Sequence, residues 1–167
     1  MLRRDPLAQP EPLIRRVYAY AAYRVGDGPD AEDVTSETFE RAVRYSNSFD
    51  ARKGEPIAWL LGIARRCVDD HLAGRLPGPA DEADFAAAGD LESEAIRRID
   101  VRAAVAELDE RDRDLVALRY GADLTARQIA ELLELKTNAV EVALHRALGR
   151  LRALLEDEPE TAASSGL

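Results

Sequence analysis

The sequence predicts an all-α chain of two small helical domains joined by an acidic linker. Three observations carry that prediction. Ala, Leu, Arg and Glu dominate, and no strand-like alternation of β-branched residues occurs. Pro77, Gly78 and Pro79 interrupt the middle, followed by Asp81, Glu82, Asp84 and a run of alanines. The stretch Leu124-Thr-Ala-Arg-Gln-Ile-Ala-Glu-Leu-Leu-Glu-Leu-Lys-Thr-Asn-Ala-Val-Glu-Val-Ala-Leu-His-Arg-Ala-Leu reads as two helices on a tight turn, the second far longer than its own packing needs. This divides the chain into a three-helix domain over 10–75, a linker over 76–98, a helix-turn-helix domain over 99–156 and a disordered tail over 157–167.

The elements follow in order. A first helix runs from Pro12 to about Val25, with Leu13, Val17, Tyr20 and Ala21 on one face and Gly26 and Gly28 ending it. Asp30 is placed to cap a second helix, with Glu32 and Asp33 where the helix dipole favours acids. That helix reaches about Tyr45 and turns Val34, Thr38, Phe39 and Ala42 inward, leaving Asp33, Glu37, Glu40, Arg41 and Arg44 outside. Each of those charges, taken alone, reads as part of a solvated face. A turn-rich loop, Ser46-Asn-Ser-Phe-Asp-Ala-Arg-Lys-Gly, leads to Pro56 at the first position of a third helix ending near Arg75. Its stripe is Ile57, Leu60, Leu61, Ala64, Val68 and Leu72, with Trp59 and Ile63 on the flank and Arg65 and Arg66 further round. A lone Trp is more often core than a base-stacking platform. His71 reads as a surface or capping residue.

The helix-turn-helix has the best-marked start. Thr125 and Gln128 have capping-box spacing, and Leu124 and Ile129 stand where a hydrophobic staple sits. Ile129, Leu132 and Leu133 face Val140, Leu144, Leu148 and Leu151 on the second helix. An ordinary helical hairpin has the same pattern. A helix so placed fits the major groove of DNA.

The net charge of −9 looks wrong for a DNA binder, but it is unevenly placed. Residues 1–75 are neutral, 76–99 carry −4, 100–156 carry −2 and 157–167 carry −3. From Lys136 to Arg152 the sign reverses to +3, a basic face of the kind phosphate contact requires. An acidic chain should still bind free DNA weakly, because little counterion release drives it. The single cysteine, Cys67, excludes an intrachain disulfide, and with only His71 and His145 to help no zinc site is expected. No cofactor is expected either. There is no Gly-rich phosphate loop, and Asp69 and Asp70 point about 100° apart on a helix, so no catalytic pair forms and the chain is not expected to be an enzyme. The polar N-terminus lacks the apolar core of a signal peptide, and no run approaches membrane-spanning length, which predicts a soluble cytoplasmic protein without membrane insertion.

Three blocks together resemble the sigma-70 family of bacterial transcription initiation factors, specifically its small extracytoplasmic-function group. Asp30-Ala-Glu-Asp-Val-Thr-Ser-Glu-Thr-Phe-Glu-Arg-Ala looks like that family's polymerase-binding helix. Trp59-Leu-Leu-Gly-Ile-Ala-Arg-Arg-Cys-Val-Asp-Asp-His-Leu looks like its promoter-melting helix. Leu108-Asp-Glu-Arg-Asp-Arg-Asp-Leu-Val-Ala-Leu-Arg-Tyr, with the helix-turn-helix after it, looks like its C-terminal DNA-binding domain. Order and spacing match over roughly residues 12–155.

The resemblance implies partners and roles. Asp33, Glu37, Arg41 and Arg44 would dock on the β′ clamp helices of core RNA polymerase, with the β subunit and promoter DNA as further partners. The loop residues Ser48, Phe49, Asp50, Arg52 and Lys53 would capture an unstacked base of the −10 element. Arg65 and Arg66 would lie against promoter backbone. Lys136, Thr137, Asn138, Glu141, His145, Arg146 and Arg150 would read the −35 element in the major groove. The acidic stretch from Pro77 to about Ser93 would thread near the polymerase active-site and RNA-exit channels. An anti-sigma factor would be a further partner. The alternative is a sigma-like module that titrates an anti-sigma factor without initiating transcription. Departures from the family pattern are Glu141 and Ala143 where basic residues are usual, Asn138 where Gly is common, Cys67 where Asn is frequent, and few arginines in His71-Leu-Ala-Gly-Arg-Leu.

Overall fold

The computed structural model describes residues 4–74 and 101–157, so the expected linker and the tail from residue 158 lie outside the described residues. Every regular element among the described residues is helical. The order is α1 (Pro10–Val25), α2 (Pro29–Arg44), a 3₁₀ turn (Ser46–Ser48), α3 (Pro56–Ala73), α4 (residues 101–107), α5 (Glu110–Val116), a π turn (Ala117–Gly121), α6 (Ala126–Leu133) and α7 (Thr137–Glu156).

Proline sets three of the starts. Pro10, Pro29 and Pro56 each stand in the first turn of their helix, where the missing N–H costs nothing and the fixed φ is already helical. α1 thus begins a little before Pro12. Asp30 is not the cap expected for α2: Pro29 starts the helix one residue earlier, Gly28 takes the cap position, and Asp30 lies in the first turn. Its carboxylate instead stands 3.5 Å from His71 Nε2. Gly26 (φ 88°) and Gly28 (φ 118°) make the sharp reversal between α1 and α2, a conformation L side chains rarely adopt. Phe39, expected inside, is only partly buried, while Thr38 is fully buried and returns its hydroxyl hydrogen to Val34 O at 2.7 Å.

α1 is the central element. It packs on α2 and α3 on one side and on α5 and the π turn on the other. One apolar cluster therefore runs through both halves of the chain, joining Val17, Tyr20, Leu60 and Leu61 to Leu115, Leu118, Leu124 and Ile129. Each fully buried aliphatic side chain of this size contributes about 1.5–3 kcal/mol. A second, smaller cluster of Val105, Leu108, Val116 and Ala147 fastens α4 and α7 to α5.

Candidate nucleic-acid interface

The helix-turn-helix is built as its residue types dictate. Thr125 Oγ1 accepts from the Gln128 N–H at 3.1 Å, and the Thr125 N–H donates to Gln128 Oε1 at 3.0 Å, which completes the capping box. Leu124 and Ile129, on either side of that cap, are fully buried. The turn is made by Glu134 in the left-handed region (φ 56°, ψ 44°), and the Leu135 N–H closes on Ala130 O at 2.9 Å. α7 starts at Thr137, as expected, with Val140, Leu144 and Ala147 buried.

Lys136, Thr137, Asn138, Glu141, His145 and Arg146 are all exposed around the first half of α7. Val142, 42% exposed, belongs to the same surface and is the residue that sequence reasoning missed. Its signal was available: a large aliphatic side chain four residues after Asn138 cannot join the Val140–Leu144 stripe. Arg150 is set apart. It lies roughly 20 Å along the helix from Thr137 and hydrogen-bonds the buried carboxylate of Asp112 on α5. Asp109 caps α5, accepting from the Asp112 N–H at 2.8 Å, and so fixes where that carboxylate stands.

The loop before α3 is braced from within. Asp50 accepts from both the backbone N–H and the guanidinium of Arg52 (3.0 and 3.1 Å), and that pairing holds its carboxyl below the ordinary carboxylate value. The Trp59 indole N–H donates to Ser48 Oγ at 3.3 Å, and Phe49 meets the Trp59 ring edge-on with centroids 5.5 Å apart. Trp59 is thus a partly exposed wall supporting the loop. Phe49, Arg52 and Lys53 line a groove of about 740 Å³ with Leu13, Arg16 and, from α6, Glu131.

On α2, Asp33, Glu37 and Arg44 are exposed and Arg41 is half-buried. Arg41 is held by Asp70 of α3 at 2.8 Å and by Glu37, and these bonds raise its pKa. Arg44 lies 3.7 Å from Glu40. Arg66 is exposed, whereas Arg65 is bound to Asp114 in the other half of the chain (3.0 Å). Cys67 is fully buried, and burial pushes its thiol pKa up. Among the described residues no group of three or more His, Cys, Asp or Glu is placed to hold a metal ion, and no helix is long and apolar enough to cross a membrane.

Fold and surface define the class: a helix-turn-helix protein, helical throughout its described residues, with the first half of α7 exposed and a second, braced loop surface near α3. Residues 11–75 match Sigma-70 region 2, and residues 98–151 match Sigma-70, region 4. The chain is 31% identical over 150 residues to the ECF RNA polymerase sigma factor BldN of Streptomyces coelicolor, covering 85% of this chain and 57% of that protein. It is 29% identical over 150 residues to the ECF RNA polymerase sigma factor SigK of Mycobacterium ulcerans, covering 84% and 80%. In fold it is similar to the sigma factor RpoE of Bartonella quintana, solved with the anti-sigma factor NepR (TM-score 0.62, 20% identity, 88% of this chain and 94% of that one). It is also similar to CnrH, solved with the cytosolic domain of CnrY (TM-score 0.61, 22% identity, 89% and 82%). The chain belongs to the sigma-70 family, in its ECF group.

Proposed function

We propose that this chain is an alternative sigma factor, a detachable subunit that binds core RNA polymerase and directs it to particular promoters. The observation that carries the reading is that region 2 and region 4 sequences occur in order on one chain, and that the first half of α7 is free for a groove. The outer face of α2, with Asp33, Glu37, Arg41 and Arg44, docks on the β′ clamp helices. Ser48, Phe49, Asp50, Arg52 and Lys53 hold an unstacked −10 base against an apolar wall, and Arg65 and Arg66 lie on backbone phosphates. Lys136, Thr137, Asn138, His145 and Arg146 meet the −35 element. Glu141 accepts from a cytosine amino group, and Val142 meets a thymine methyl. The protein performs no chemistry itself, works in the cytoplasm and is held in reserve by an anti-sigma factor.

Reconstituted transcription tests this. The purified chain is added to bacterial core polymerase on a pool of genomic promoter fragments, and discrete transcripts requiring the chain are expected. No binding to core would overturn the reading.

A further inference from the structure

Of the 23 lysines and arginines in the chain only two are lysines, Lys53 and Lys136. Arginines make the internal ties: Arg41, Arg65 and Arg150 each fasten one helix to another. Among the described residues the ion pairs are made by arginines and His71, and neither lysine forms one. Both lysines are exposed, and both stand in turns between helices. The Lys53 N–H closes a turn on Asp50 O at 3.0 Å, and its side chain lines the groove with Phe49 and Arg52. Lys136 caps α7 with extended backbone (φ −79°, ψ 142°), its carbonyl accepting from the Val140 N–H at 3.1 Å. Each is anchored by its backbone and held by no ion pair at its side chain.

Those two side chains also set the local charge of the two elements proposed to touch DNA. From Ser48 to Glu55, Asp50 and Glu55 offset Arg52 and Lys53. From Glu134 to Arg146, Glu134 and Glu141 offset Lys136 and Arg146. Each stretch is neutral, with histidine uncharged. Arg52 is already held by Asp50 at 3.1 Å, so Lys53 is the cation of its loop left to meet a phosphate. Removing one positive charge turns either stretch acidic, and it then repels DNA. The outer face of α2 carries no lysine.

We infer that Lys53 and Lys136 are Nε-acylation sites, and that acyl transfer to them from an acyl phosphate lowers DNA binding while leaving the α2 face unaltered. The consequence for DNA rests on the sigma-factor reading; the modification itself does not. In the transfer, the neutral Nζ amine attacks the carbonyl carbon of the acyl phosphate. A C–N amide bond forms and the C–O bond to the phosphate breaks. Phosphate leaves with the bonding pair, and the proton of the amine passes to water. No oxidant or reductant is needed. A guanidinium releases its proton about a hundredfold less readily than an ordinary ammonium or worse, so arginines do not compete. Acylation therefore reaches both DNA elements and spares the ion pairs that hold the fold.

The test treats the purified full chain with acetyl phosphate at about pH 8, where a small fraction of an ordinary lysine is neutral. Peptide mass spectrometry after cleavage at glutamate should find Nε-acetyl groups on Lys53 and Lys136. At low salt, affinity for a promoter duplex and for a −10 single-stranded oligonucleotide should each fall about tenfold, the loss of one charged contact. The salt slope of duplex binding should fall by about one. Affinity for core polymerase should not move. The double variant Lys53→Arg/Lys136→Arg keeps both charges, so its DNA affinity, whatever its starting value, should be the same before and after treatment. Lysines left unmodified would overturn the assignment. Modified lysines with undiminished DNA affinity would overturn the effect, and so would an equal loss in the double variant, which would trace it to another amine. A chain that gives no transcript with core polymerase, yet loses duplex binding on acetylation, would sink the sigma reading and leave the modification standing.

Discussion

Arg150 of α7 is tied to the carboxylate of Asp112, which is buried beneath it on α5. An arginine that looks like a DNA contact in the sequence is therefore a fastening between two helices of its own domain. Arg150→Ala should lower the melting temperature by about 2–4 °C and leave relative affinities for different promoter sequences unchanged. Arg146→Ala should do the reverse, keeping stability and weakening binding to all sequences alike. Thermal melts and a salt titration of DNA binding separate the two, since a lost phosphate contact reduces the salt slope by about one. A shift in base preference on Arg150→Ala would return that residue to the reading face.

The capping box at Thr125 gives a second expectation. Its hydroxyl satisfies the Gln128 N–H, an orphan donor of the first turn of α6. Thr125→Ala should cost about 1 kcal/mol, read as a lower urea midpoint with unchanged slope. Thr125→Ser should recover most of that loss. Equal midpoints for Ala and Ser would mean that α6 is held by Leu124 and Ile129 alone.

How legible all this was depends on the range of each interaction. The capping box, the start of α7 and the prolines opening the helices are local, so residue types a turn apart were enough to place them. Asp30 failed because two start signals competed, and a proline already at the first helical position outweighs a carboxylate beside it. The pairings Tyr20–Asp114, Arg65–Asp114 and Arg150–Asp112 were invisible because their partners lie 94, 49 and 38 residues apart. Charge on an exposed-looking helix face carries no mark of the partner it will meet. The packing of α1 and α3 on the C-terminal half rests on the first two of those pairs and on Gly121, whose lack of a side chain matters only once α1 lies against it.

Asp27 supplies a pH test. Partial burial pushes its carboxyl up, but the hydrogen bond from the Tyr18 hydroxyl and the Arg102 guanidinium at 2.7 Å outweigh this, and its pKa falls below the ordinary value. A carboxylate with a lowered folded-state pKa adds stability above its unfolded value of about 4 and loses it as pH falls through the folded value. Urea midpoints from pH 6 to pH 2.5 should therefore drop steeply below about pH 4, and Asp27→Asn should flatten that limb while lowering the plateau at pH 6. Parallel curves would show that other carboxylates carry the acid limb.

Docking on polymerase is tested on α2. Glu37 is exposed and shares Arg41 with Asp70, so reversing its charge removes one bond to Arg41 and leaves the other. Glu37→Arg should keep the helix content and melting curve nearly intact, because exposed pairs contribute only about 0.2–1 kcal/mol. Affinity for core polymerase should fall at least tenfold. Equal affinity would remove this face from the interface.

A base-reading role for Glu141 is expected from its charge and its exposure on α7. A carboxylate on the outer surface of α7 repels phosphates, so its presence weakens binding to every sequence unless it also gains a specific partner. The amino group of cytosine is the base-edge donor that suits it in the major groove. Selection from a randomised −35 duplex should give a cytosine at one position for the wild-type holoenzyme. Glu141→Ala should lose that preference and bind the remaining sequences somewhat more tightly, through the lost repulsion. Tighter binding with the preference retained would mean that Glu141 only tunes affinity and that the cytosine is read by Asn138 or His145 beside it.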